Sequence, residues 1–330
     1  MRRRGNDMGI RTDLAIENKE IYDSKNPGVG GEKVEIPGVK VKENIIFQGE
    51  EGQKIKAVRI EIETDEGSRL MEKPPGTYIT VEVDGLENDD PDFQMKDEHT
   101  AEAGTKFLPF RERIIQAVAA ELTALLPFTG ERKILIIGLG NEKVTPDSLG
   151  PVTLRHIKVT RHMFLLMNAD RDEVVSCTSA LAPGVMATTG METAELIQGA
   201  VEITKPDVVI AVDALAARNL DRISRTVQIN DVGVSPGSGT GNMRKNLTKE
   251  SLGVPVIAVG VPTVIDSRTL IMDSLEKAAP GVQNMLSSGG NAEAWDTMIV
   301  TVSDIDRVVE DFGYILGDAI NRTVHPGLIP

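Results

Sequence analysis

The sequence predicts an α/β fold with three αβα layers around a mostly parallel central sheet, and with a small β-rich region ahead of it. Three observations carry this. Three runs are apolar throughout, KILIIG (133–138), DVVIAV (207–212) and PVIAVG (255–260), and uniformly apolar strands are those covered on both faces. They alternate with helix-like segments near 148–159, 190–203 and 267–278, an alternation that lays helices over a parallel sheet. Before residue 105 the period is two instead: KIKAVRIEIET at 54–64 and TYITVEVDGL at 77–86 read as antiparallel strands with one wet face.

Taken in order, the first dozen residues are basic and polar without an apolar period and read as a mobile arm. The stretch Asp23 to Lys33, rich in Lys, Gly and Pro, reads as a loop, and the acidic run Glu87 to Asp97 as a solvated one. From Thr105 the pattern turns helical, with Phe107, Phe110, Ile114, Ile115, Val118, Leu122 and Leu125 on one face. A strand at 298–302 and an amphipathic helix through Val308, Phe312, Ile315 and Ile320 close the core. No repeat of solenoid period is present. The organisation expected is an N-terminal arm, a β-rich region up to residue 104 and an αβα core over 105–330.

Composition narrows the function. A net charge of -14 over 330 residues opposes direct binding to nucleic acid, because affinity for phosphate comes mostly from Lys and Arg. No run approaches the roughly 18 apolar residues of a membrane span, and MRRRGNDMGI lacks the apolar centre of a secretion signal. The protein is expected to stay in the cell that makes it. The one cysteine, Cys177 in VVSCTSALAP, reads as a small buried hydrophobe and forms no internal disulfide.

In open α/β sheets, sites form beyond the carboxyl ends of strands, and here those segments are GLGNEKVTPDSLGP, DALAARN and VPTVIDS. GLGN is not a dinucleotide fingerprint, because Lys143 stands where the third glycine belongs. Asp147 has two readings, as N-cap of the next helix or as a carboxylate aimed into the crevice, and Asp213 has the same two. If their strands are neighbours, the two carboxylates share an edge, and mutual repulsion raises one pKa so that acid and base coexist. The run from Pro236 to Asn242 lacks P-loop spacing and reads as a cleft loop; Gly237, Gly239 and Arg244, with Gly138, Asn141 and Thr145, are the candidate lining. His156 and His162 read as surface residues, His99 and His325 stand alone, and no cluster has zinc spacing. Cys177 has no neighbour to activate it, and no GxSxG elbow occurs.

The strings GLGNEKVTPDSLGP, LAPGVMATTGMET, DVVIAVDALAARN, VSPGSGTGNMRK and GVPVIAVGVPTVID resemble the germination proteases of spore-forming bacteria over nearly the whole chain. The resemblance implies that Asp147 and Asp213 are the catalytic pair, that the substrates are small acid-soluble spore proteins, and that the enzyme is a homotetramer in the developing spore and spore core. It also implies a zymogen that removes its own N-terminal segment: RTDLAIE matches the processing site, which puts the cut between Asp13 and Leu14. The family's fold is similar to that of hydrogenase-maturation peptidases, where a histidine after a third strand helps hold a metal. VPTVIDS has no histidine, which favours a mechanism without metal or other cofactor, although Asp266 leaves an opening for a cation.

Two other functions fit parts of the sequence. GLGN and PGSGTGN would serve a nucleotide- or nucleoside-handling enzyme as phosphate loops, and an assembly protein would use its aspartates only as caps. For the protease reading, substrates cut between an acidic and a large apolar residue need a basic contact, for which Arg244 and Lys245 are candidates.

Overall fold

The computed structural model describes residues 12–26, 35–49, 52–86, 109–126, 132–166, 174–235, 245–278 and 298–328. Helix α1 (Ala15–Lys25) precedes a meander of β1 (Val39–Gln48), β2 (Lys54–Ile62) and β3 (Gly76–Asp84), with the short α2 (Asp65–Met71) between the last two. Helix α3 (Phe110–Leu125) leads into β4 (Lys133–Gly138), a 3-10 turn over Thr145–Asp147 and α4 (Leu149–Leu154). There follow α5 (Arg161–Leu166), β5 (Cys177–Leu181), α6 (Met186–Thr189), α7 (Thr193–Thr204), β6 (Val208–Ala217) and β7 (Thr226–Asn230). The chain continues through α8 (Lys249–Leu252), β8 (Val256–Asp266), α9 (Ser267–Ala278), β9 (Ile299–Val300) and α10 (Ile305–Val324).

The nine strands among the described residues join one sheet in the order β1-β2-β3-β7-β8-β6-β4-β5, with β9 on the end of β8. Only β8, β6, β4 and β5 run parallel. The sheet is therefore mixed, not mostly parallel as its apolar strands suggested. The reason is β7, a strand absent from the sequence reading, which pairs antiparallel with both β3 and β8 and so fuses the N-terminal meander to the parallel half.

Several boundaries also shift. The strands β6 and β8 run on to Ala217 and Asp266, pairing as far as Ala217 with Ile265, so DALA and VPTVID are strand and not loops beyond it. Pro262 is tolerated inside β8 because the register slips between Leu215 and Ala216 opposite it, a bulge being one place where a strand accepts proline. Asp23–Lys25 form the last turn of α1 and not a loop, α4 is shorter than 148–159, and β9 holds only two residues.

Alternation along each strand builds two different faces. On the first, Ile134, Ile136, Ile210, Val212, Val227 and Ile229 pack under Phe110 and Ile114 of α3 and Phe312 and Ile320 of α10. Each such fully buried side chain contributes about 1.5–3 kcal/mol. Arg322 of α10 reaches both carboxylate oxygens of Glu112 on α3, at 2.5 and 2.9 Å. On the second face, Leu135, Ile137, Val209 and Ala211 lie with Ile197 and Val201 of α7, while Val58, Ile60 and Tyr78 lie with Leu14, Ala15 and Ile16. Among the described residues, α7 thus covers one end of this face and α1 the other.

Cys177 opens β5 half-buried, more accessible than its apolar context suggested. His325 is fully buried, with its Nε2 2.9 Å from the Lys158 carbonyl oxygen, and burial holds its pKa below the usual imidazole value.

Candidate active site

β4 and β6 are hydrogen-bonded parallel neighbours, with Gly138 opposite Val212. The condition on which Asp147 and Asp213 share a sheet edge is therefore met. Past Gly138 the chain is held to β6 once more, Leu139 N–H donating to the Val212 carbonyl at 2.8 Å, and it then loops out and returns. The return is tight. The Asn141 N–H donates both to the Asp147 carbonyl oxygen (3.0 Å) and to its Oδ2 (2.8 Å). Gly140 has φ +110°, and a Cβ there would fall 1.9 Å from the Asp147 carbonyl oxygen, so glycine is required for the loop to close. The Thr263 hydroxyl of β8 donates to the Pro146 carbonyl oxygen at 2.6 Å, tying the turn to the third parallel strand.

These contacts dispose of two readings. The residue ahead of α4 is Ser148, and the Asp147 carboxylate points back to Asn141, so Asp147 is not the cap of that helix. Asp213 lies inside β6, with no helix after it to cap. The loop amide that a phosphate would need, Asn141 N–H, is already taken by Asp147. PGSGTGN, and with it Gly237, Gly239 and Arg244, lies outside the described residues, as does His99.

Asp213 is 7 % exposed, and its Oδ1 accepts from the Ala214 N–H at 3.0 Å. Its neighbours Val212 and Ala214 face the α3–α10 core, so alternation turns Asp213 to the opposite face. Gly260 of β8 is paired with Asp213 on one side and with Gln228 of β7 on the other. Directly opposed residues share a face, so Gln228, Gly260 and Asp213 form one lateral row.

The segment Thr12–Glu17 lies beside this row. Asp13 N–H donates to the Ala216 carbonyl at 3.0 Å, and Ala216 N–H donates to Asp13 Oδ2 at 2.8 Å. Gln228 brackets the next residue: its Nε2 donates to the Asp13 carbonyl oxygen (2.9 Å), and its Oε1 accepts from Ala15 N–H (2.7 Å). Lys73 Nζ also donates to the Asp13 carbonyl oxygen, at 3.0 Å. Burial pushes the Lys73 pKa down, against the pull of Asp13, Glu17 and Glu72. Leu14 is wholly buried. Glu17 is buried too, accepting from Arg218 N–H (2.7 Å), Asn219 N–H (2.9 Å) and the Thr12 hydroxyl. Burial raises its pKa against those bonds and Arg222.

Sequence reasoning missed Gln228, Lys73 and Glu17, since each sits alone in its own segment and only the fold assembles them. Of the expected lining, Asn141 and Thr145 belong to the Asp147 turn, whereas Gly138 serves packing: a Cβ on it would meet the Gly150 carbonyl oxygen at 2.5 Å. Lys245 is exposed, and the acidic side chain of Asp13 is met instead by the Ala216 amide. Asp266 Oδ1 caps α9 through Thr269 N–H at 2.9 Å. Among the described residues no group of three or more His, Cys, Asp or Glu could hold a metal, and no helix is long and apolar enough to cross a membrane.

Residues 15–278 match the family described as Peptidase_A25: Germination protease. The chain is 37% identical over 342 residues to the germination protease of Caldanaerobacter subterraneus subsp. tengcongensis, covering 97% of this chain and 96% of that one. It is 36% identical to that of Clostridium tetani, covering 97% of each, and 43% identical over 270 residues to that of Bacillus pumilus, covering 81% of this chain and 66% of that one. With that family match and kinship over nearly its whole length, this chain belongs to the germination protease family.

Proposed function

We propose that the chain is an aspartate-type endopeptidase, made as a zymogen in the developing spore, that cleaves small acid-soluble spore proteins after an acidic residue during germination. The observation that carries the site assignment is the folding of the Asp147 turn onto the end of β4, beside the strand that presents Asp213. One carboxylate removes a proton from water as the water oxygen bonds to the peptide carbonyl carbon, and the other gives a proton to the amide nitrogen as the C–N bond breaks. The pair titrates as a unit, so the two roles belong to it jointly. No cofactor is needed for this balance.

Several finer assignments belong to the same proposal. Residues 1–13 are the propeptide, 14–104 the β-rich region and 105–330 the catalytic core, and the parallel half of the sheet corresponds to the fold of hydrogenase-maturation peptidases. The assembly is a homotetramer, a reading supported by apolar side chains exposed on the edge strand β1 (Ile45, Ile46) and on α5 (Leu165, Leu166).

The test is digestion of a purified small acid-soluble spore protein, with the fragment ends sequenced. Cuts between an acidic and a large apolar residue, at a rate unchanged by a chelator, are expected. Cuts elsewhere, or loss of activity with the chelator, would contradict the proposal.

A further inference from the structure

Asp13 is bonded to two strands that are not neighbours, Ala216 of β6 and Gln228 of β7, and β8 lies between them. The backbone at Asp13 therefore straddles β8. Gln228 also belongs to the row Gln228–Gly260–Asp213, which spans two strand spacings, about 10 Å, and whose middle position has no side chain. Gln228 and Asp213 rise from the same face, and the Leu215 side chain closes over the glycine between them. A Cβ on Gly260 would lie 2.7 Å from both the Asp213 carbonyl oxygen and the Leu215 side chain, so glycine is what lets Leu215 pack there.

We propose that Gln228, with Lys73 beside it, holds the Asp13–Leu14 peptide bond for cleavage, taking the carbonyl oxygen of that bond on its amide nitrogen. This rests on the reading of Asp147 and Asp213 as the hydrolytic pair and of Asp13–Leu14 as the processed bond. Water adds to the Asp13 carbonyl carbon, and the π electrons move onto its oxygen. That oxygen already accepts from Gln228 Nε2 and Lys73 Nζ, donors aimed where the negative charge develops. Collapse of the intermediate expels the Leu14 nitrogen, which takes a proton. The other arm of the Gln228 amide, on Ala15 N–H, fixes the far side of Leu14, so one side chain sets the register of the bond.

The bland alternative is that Gln228 merely anchors α1. The two roles separate in Gln228→Glu, which keeps an oxygen to accept from Ala15 N–H but has no donor for the Asp13 carbonyl. Loss of residues 1–13 from the full chain is followed by intact mass, and docking is followed by hydrogen exchange at the Ala15 amide. The expected result is retained Ala15 protection with processing slowed about 100-fold, the effect of removing one oxyanion donor. Lys73→Met is expected to slow processing as well, and Lys73→Arg to recover most of the rate. Processing by Gln228→Glu within about threefold of wild type would overturn the proposal. So would wild-type processing by Lys73→Met, which carries the test should Gln228→Glu release the arm. Asp213→Asn runs alongside: if it still processes, or if the mass shows a different cut, the underlying reading fails and not the bracket alone.

Discussion

The two faces of the sheet use the same strands for opposite ends. Facing α3 and α10, the alternate residues Val227, Ile229, Val259, Val261, Val212 and Ala214 make an apolar surface closed by Phe312 and Ile114. One residue out of step, Gln228, Gly260 and Asp213 make a polar row on the other side. A period of two lets a single strand supply core and site at once. The first face can therefore be damaged without touching the chemistry, and the second without much harm to the fold.

The sharpest break in that comparison is Asp213→Asn. On the proposed mechanism it removes one carboxylate of the pair while keeping shape, so kcat/KM for a small acid-soluble spore protein is expected to fall by at least about 1,000-fold, or about 4 kcal/mol, with little change in thermal midpoint. On the other face, Phe312→Ala is expected to cost about 3–5 kcal/mol of stability, read by denaturant unfolding, while turnover per folded molecule stays as in wild type. Gly260→Ala tests the close packing at the middle of the row. The new methyl meets Asp213 and Leu215 backbone and side-chain atoms at 2.7 Å, and the expected effect is about 1–3 kcal/mol of overpacking together with reduced activity.

The smallest effect concerns Glu17. Burial raises its pKa, so the folded chain binds this proton more tightly than the unfolded chain does. Its contribution is complete below the ordinary value of 4.5 and is lost as pH rises through the raised folded value. Glu17→Gln removes that slope. Relative to wild type, the thermal midpoint of the variant is expected to improve as pH rises from 4.5 towards neutrality.

Much of the parallel half was legible, because KILIIG, DVVIAV and PVIAVG are buried on both faces and leave an unambiguous apolar signature. The meander's place in the same sheet was not, since it depends on TVQIN (226–230), whose polar Thr226 and Gln228 are buried and break the apolar pattern. Stopping β8 at Gly260 was a further miss: glycine and Pro262 are ordinarily punctuation, yet here the glycine makes room for Leu215 and the proline sits at a bulge. Asp147 and Asp213 stand out in the sequence as candidates because each lies beyond an apolar run. Lys73 and Gln228 carry no such local mark, and the register that brings them to Asp13 is a property of strands distant in sequence.

The most direct measurement of the central claim is a time course of intact mass for the purified wild-type chain, Asp147→Asn and Asp213→Asn, all shown to be folded by matching thermal midpoints. The account predicts that wild type loses residues 1–13 and that both variants keep them. Conversion of either variant at the wild-type rate would contradict it, for that aspartate could then not belong to the hydrolytic pair.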